Sequence, residues 1–137
     1  MKPEKICING IIKDPDDALV LATNLSLSSG LGVFETFRVS NGEAFLLDEH
    51  FARLQKSLKA LGLNAIDKSQ AIKNILEITK LAKPDHDAFV RFVVTGDSGG
   101  LASFKIDPEP ISIIYICSIS KLEPADIRAR IINGVKR

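Results

Sequence analysis

Two Asn-Gly dipeptides, Asn9-Gly10 and Asn41-Gly42, limit the fold of this chain more than any other feature. The tight turn of a two-residue β-hairpin needs positive φ at both central residues, and Asn-Gly is its strongest short signal. Strand-forming residues flank both. Lys5 to Lys13 reads as two short strands around the first turn. Val33 to Ser40, β-branched and aromatic, leads through the second turn into Ala44 to Leu47. Two such turns commit both ends of this region to antiparallel pairing.

Between and after the hairpins the pattern changes. Asp14 to Asp17 is a polar turn with Pro15, and Thr23 to Gly32 is a loop of small residues. Asp48 is placed to cap a helix in which Phe51, Leu54, Leu58 and Leu61 recur at three- and four-residue steps, with Gly62 as its stop. Asp67 and Gln70 resemble a capping box for a second helix. That helix is predicted to run to about Lys83 before Pro84, with Ile72, Ile75, Leu76 and Thr79 on its stripe. Strands are expected at Ala88 to Thr95, Pro110 to Ile119 and Ile127 to Val135. Hairpin, hairpin, two helices, hairpin gives an α+β class: two layers, two helices on a mostly antiparallel sheet.

Composition narrows the function. With 137 residues, 45% hydrophobic and 26% charged, the chain suits one globular domain. Eighteen basic against seventeen acidic residues leave a net charge of +1, which argues against nucleic acid as a partner. The longest apolar run, Ile111 to Ile119, is interrupted by Ser112 and Ser118 and is too short to span a bilayer. Nothing in Met1 to Lys13 reads as a signal peptide. Cys7 and Cys117, like His50 and His86, fit no metal spacing, so no metal site is expected. The reduced cysteines suit the cytoplasm.

Chemistry rests on a few residues. Alternation along Val33 to Ser40 puts Phe34, Thr36 and Arg38 on one face and Val33, Phe37 and Val39 on the other. Arg91 shares a face with Phe89, Val93 and Thr95. A guanidinium within an apolar strand is either the wall of an anion pocket or a solvent-facing charge paired with a nearby carboxylate. His50 and Arg53, three apart on the first helix, sit at the edge of its buried stripe. They could hold a phosphate, or one could stack on the core while the other reaches to water. Gly96, Gly99 and Gly100, and Gly30-Leu31-Gly32, do not sit between strand and helix as a dinucleotide fingerprint requires. They read instead as positions of positive φ or close backbone approach. No nucleophile elbow is present.

From Gly30 the string GLGVFETFRVSNGEAFLLDEHFARLQKSLKALGL assembles these pieces. It resembles the N-terminal signature of the class IV (fold-type IV) pyridoxal-phosphate aminotransferases, the family of branched-chain and D-amino-acid aminotransferases and aminodeoxychorismate lyases. A glycine loop, a V-F/Y-E strand, an Asn-Gly hairpin and L-x-x-H-x-x-R-L at a helix start stand here in order. Ile8-Asn9-Gly10, Phe89-Val90-Arg91 and Val94-Thr95-Gly96-Asp97 fit as well. The resemblance implies that Arg53 holds the phosphate of pyridoxal 5'-phosphate. It implies that Phe34, Arg38, Phe89 and Arg91 shape the substrate side, for amino acid and 2-oxo acid substrates in a homodimer.

Two departures stand out: Leu31 replaces the usual aspartate of the loop, and Gly96-Asp97 stands where lyase and D-amino-acid members often carry an arginine. The second favours a branched-chain-like substrate, with an aminodeoxychorismate lyase as the alternative. Family members are roughly twice as long. The resemblance therefore implies a small domain over 1–126, with 127–137 as last strand and start of an interdomain connection. The Schiff-base lysine is expected beyond Arg137, Lys136 being read as a strand-end lysine. The chain alone is then expected to be inactive, or, as a further alternative, to be a free-standing binding or dimerisation module.

Overall fold

The computed structural model describes residues 3–22, 24–81, 87–97 and 107–118. The strand expected at Ile127 to Val135, together with His86, Gly99, Gly100 and Lys136, lies outside these residues. Strands β1 (Lys5–Ile8) and β2 (Ile11–Lys13) are followed by a 3₁₀ turn at Pro15–Asp17 and a one-turn helix α1 (Leu25–Ser29). Then come β3 (Gly32–Ser40), β4 (Glu43–Ala44), α2 (Leu47–Ala60), α3 (Lys68–Thr79), β5 (Ala88–Asp97) and β6 (Asp107–Ser118). The six strands form one sheet in the order β2-β1-β6-β5-β3-β4. Each neighbouring pair is antiparallel. The class is α+β, as the sequence pattern predicts.

Both Asn-Gly turns form as expected. Asn9 and Gly10 have φ of 49° and 84°, and Asn41 and Gly42 have 52° and 80°. Ile8 consequently pairs with Ile11, and Ser40 with Glu43. The long helices cover one face of the sheet. Phe51, Leu54 and Leu58 of α2 and Ala71, Ile75 and Ile78 of α3 pack with Cys7, Phe37, Val39, Ala88, Val90, Phe92 and Val94 in one core. Among the described residues, no helix is long and apolar enough to cross a membrane.

Several local expectations are corrected. Asp48 is not the cap of α2: Leu46 is, in a left-handed conformation (φ 49°) with no side-chain cap bond. That turn cuts the expected strand Ala44 to Leu47 down to Glu43–Ala44 and drops Asp48 and Glu49 into the first helical turn. Their charges there oppose the positive end of the helix dipole. Asp67 does cap α3, its carboxylate accepting from the Gln70 amide at 2.7 Å. The Gln70 side chain, however, turns to Asn74 instead of closing the box. Helix α3 ends at Thr79 and not near Lys83. Its buried stripe runs through Ala71, Asn74, Ile75, Ile78 and Thr79, while Leu76 is exposed. Ile75 and Thr79 of the expected stripe are buried, but counting apolar letters turned its centre toward Leu76, because a polar Asn74 and a small Ala71 share the buried side.

The loop predicted over Thr23 to Gly32 contains α1. Asn24 caps it, its Oδ1 accepting from the Ser26 amide and hydroxyl at 2.9 and 2.6 Å, while its Nδ2 donates to Thr95 Oγ1 at 3.1 Å. A Cβ on Gly32 would lie 3.1 Å from the Ser26 side chain and 3.2 Å from the Val94 carbonyl oxygen. Glycine here relieves both tight contacts where α1 packs beside the β3–β5 ladder.

Candidate functional site

Strand β3 divides its side chains between two environments. Glu35, Phe37 and Val39 are buried toward the helices, while Phe34, Thr36 and Arg38 point to the uncovered face. Register with β5 sets Val93 beside Phe34, Arg91 beside Thr36 and Phe89 beside Arg38. The uncovered face therefore gathers Phe34, Arg38, Phe89 and Arg91. Phe34 is 56% exposed and Phe89 38%, large apolar surfaces to leave in water. The guanidinium carbon of Arg91 sits 4.0 Å above the centre of the Phe34 ring, a cation–π stack. Arg38 donates through Nη2 to Asp87, a buried carboxylate one residue ahead of β5. Among the described residues no carboxylate bonds Arg91.

Arg53 lies elsewhere, on the helix side of the sheet. Its Nε donates to Glu35 Oε1 at 2.6 Å and its Nη2 to Oε2 at 2.5 Å, a two-point clasp. His50 Nδ1 lies 2.8 Å from the same Oε2. The Glu35 carboxyl is held below its usual pKa, mainly by the Arg53 hydrogen bonds with help from His50. Being ionised it only accepts, so His50 Nδ1 carries a proton. The 3.2 Å approach of Arg53 Nη2 to His50 Nδ1 is then two donors converging on one oxygen, not a bond between them. The His50 ring also packs against Phe37, with centroids 5.4 Å apart. Glu35 is 6% exposed, yet the Arg53 side chain is 66% exposed.

The helix side and the uncovered side are close at one place. Strand β4 pairs only with Val39 and Ser40, so among the described residues no strand flanks β3 from Val33 to Phe37 on that side. Arg53 sits beside Glu35 at this open margin, and Phe34 is the next residue along, on the far face.

Comparison with known proteins places the chain in a family. The sequence model of class IV amino-transferases matches residues 32–136, most of the chain. The chain belongs to the class IV aminotransferase family. It is 37% identical over 105 residues to a Methanocaldococcus jannaschii protein provisionally named a branched-chain-amino-acid aminotransferase, covering 76% of this chain and 35% of that one. It is 30% identical over 127 residues to the aminodeoxychorismate lyase of Bacillus subtilis, covering 89% and 42%. The pyridoxal-phosphate-bound structure of a hypothetical aminotransferase from Mycobacterium tuberculosis superposes with a TM-score of 0.70 at 25% identity, over 82% of this chain and 39% of the other. The chain thus spans between about a third and two-fifths of the length of these relatives.

Within this class IV chain, two residues of the candidate site were not singled out from the sequence. Asp87 became visible only through the β3–β5 register, which composition does not supply. Glu35 had a signal: alternation places it with Val33, Phe37 and Val39, and a carboxylate on that face needs a cation. Arg53 at the rim of the facing helix is that cation, with His50 beside it as a second donor. At Leu31, where the family usually has aspartate, the side chain packs 3.2 Å from where a Gly96 Cβ would stand, so a bare Gly96 leaves room for it.

Proposed function

We propose that this chain forms the phosphate-anchoring and substrate-side half of a pyridoxal-phosphate-dependent aminotransferase site acting on branched-chain-like amino acids and 2-oxo acids. The observation that carries this reading is the placement of Arg53. It is an exposed guanidinium held at the open margin of β3, one residue along from the aromatic wall of the uncovered face. A guanidinium has five N–H donors, and the Glu35 clasp uses two. The remaining end, Nη1 with the second Nη2 hydrogen, is a free fork of the geometry that binds a phosphate oxyanion. The donor set therefore fits the phosphate end of the cofactor, and of the described residues it is Arg53 that would hold it.

On the uncovered face, Arg91 is the guanidinium without a carboxylate partner among the described residues, and it suits a substrate carboxylate. Its stack on Phe34 orients the guanidinium plane, while Phe34 and Phe89 offer apolar surface to an aliphatic side chain and exclude water beside it. Arg38, engaged by Asp87, shapes the far end of the wall. The cofactor, when bound, supplies the electron sink that lets the bond at the amino acid's α-carbon break. Binding, orientation and dryness are what this chain contributes.

Replacing Arg53 with Ala in the full-length protein is expected to weaken pyridoxal phosphate binding by roughly tenfold or more, as loss of charged hydrogen bonds does. Circular dichroism should stay unchanged. Unaltered cofactor affinity in a folded variant would show that Arg53 is not the anchor. The similarity to the Bacillus subtilis lyase over 127 residues supports a second reading, an aminodeoxychorismate lyase. Assaying the full-length protein with leucine plus 2-oxoglutarate, and separately with aminodeoxychorismate, separates the two.

A further inference from the structure

We infer that Glu35 is the positioning residue of the phosphate anchor: by clasping the Nε and Nη2 edge of Arg53 it turns the opposite, end-on fork of the guanidinium toward the bound phosphate. The inference rests on the reading that Arg53 meets that phosphate, and adds how the arginine is aimed. Glu35 is suited to the task because it is itself fixed. Its backbone pairs with Phe92 in the middle of the β3–β5 ladder, and its side chain is buried. Two donors from α2, Arg53 and His50, converge on its oxygens. His50 is in turn wedged against Phe37, so the carboxylate cannot swing away.

Arg53 differs, being an exposed long side chain with many rotamers on the surface of a helix. Without a clasp it would surrender that freedom each time a phosphate bound. With the clasp, the freedom is already lost in the folded protein. The arrangement has a cost in charge. The carboxylate cancels the guanidinium, so the Glu35–Arg53 pair adds direction without adding net positive potential. Aim and charge can therefore be separated by substitution. Glu35→Asp keeps the charge but withdraws the carboxylate by one methylene, undoing the two-point clasp.

The experiment compares wild type, Glu35→Asp and Arg53→Ala in the full-length protein, titrated with pyridoxal phosphate and with pyridoxal, which lacks the phosphate. Thermal unfolding serves as the check on folding. Glu35→Asp is expected to lose roughly tenfold in affinity for pyridoxal phosphate, the loss expected when a side chain must be ordered anew. Its affinity for pyridoxal should be unchanged. If Glu35→Asp binds pyridoxal phosphate as wild type does while Arg53→Ala does not, Glu35 is no positioning residue and the anchor stands. If Arg53→Ala also binds normally, both readings fall. An equal loss for pyridoxal in Glu35→Asp would mark a general structural effect and overturn the inference. Should Glu35→Asp fail to fold, the Arg53 Nε–H resonance of wild type decides. A slowly exchanging signal that shifts with pyridoxal phosphate and not with pyridoxal supports the clasp. A fast-exchanging signal like that of a free surface arginine overturns it.

Discussion

On the helix side of the sheet Glu35 is buried, and the fold meets its carboxylate with two nitrogen donors, the Arg53 guanidinium and the His50 ring. On the other side Arg38 and Arg91 stand among exposed aromatic rings, one tied to Asp87 and one resting on Phe34. The same strand, β3, serves both sides, with Glu35 facing one way and Phe34 the other. The contrast separates two uses of charge. The enclosed carboxylate is committed to fixing a neighbour, whereas the stacked guanidinium keeps its donors available for an incoming anion. It also divides stability from function, because the enclosed side supplies the core and the uncovered side supplies surface that the core does not need.

The largest expected effect tests that division. Phe92 is 2% exposed in the core, and Phe34, 56% exposed, lies one strand away on the opposite face. Phe92→Ala should destabilise by about 3–5 kcal/mol, from lost burial plus the cavity left behind. Phe34→Ala should change stability by no more than about 1 kcal/mol, as surface substitutions do. Urea unfolding followed by circular dichroism measures both. Comparable losses would mean that the uncovered face is as structural as the core and that the division is wrong.

The alternation behind this contrast could be read from letters alone, since period two along Val33 to Ser40 needs no knowledge of neighbours. So could both hairpins, because Asn-Gly meets a local backbone requirement. The start of α2 was not legible, because Leu46 in a left-handed conformation breaks the local rules that favour Asp48 as cap. The stripe of α3 was misplaced because Asn74, a polar letter, is buried and bonded to Gln70. The candidate arginines could be named individually. Which ones share a face with which aromatics required the register of β3 against β5. The pairing of Glu35 with Arg53 required a helix to be laid over a strand eighteen residues earlier in the chain. Such links are non-local, and single-chain periodicity carries no information about them.

A smaller effect concerns pH and sharpens the helix side of the comparison. Glu35 has a folded pKa lowered from its ordinary 4.5, first through the Arg53 hydrogen bonds. A lowered carboxylate pKa contributes stability that is present above the unfolded value and lost as pH falls through the folded value. Glu35→Gln removes that dependence. At neutral pH the variant should be less stable by on the order of 1 kcal/mol, the partner arginine being largely solvated. Below pH 4.5 the gap between wild type and Glu35→Gln should close. Unfolding free energies of both proteins measured from pH 7 to pH 3 give the answer. A gap that stays constant through the acid range would mean that Glu35 is not ionised by its partners.

The smallest effect lies on the uncovered face, between Arg91 and Phe34. A guanidinium 4.0 Å above a ring that is more than half exposed is attracted by the ring's quadrupole, but water competes for both groups. A double-mutant cycle over Arg91→Ala and Phe34→Ala should therefore return a coupling of about 0.5–1 kcal/mol. Arg91→Lys keeps the charge but loses the flat face, so it should retain only part of that coupling. A coupling of zero would mean that Phe34 does not orient Arg91, and the uncovered face would then offer a mobile cation in place of an aimed one. A coupling as large as that of a buried pair would mean that Phe34 and Arg91 act as core. Weak but measurable coupling is what the substrate wall proposed above requires: it orients the guanidinium plane and leaves its outward N–H groups free to exchange water for a carboxylate.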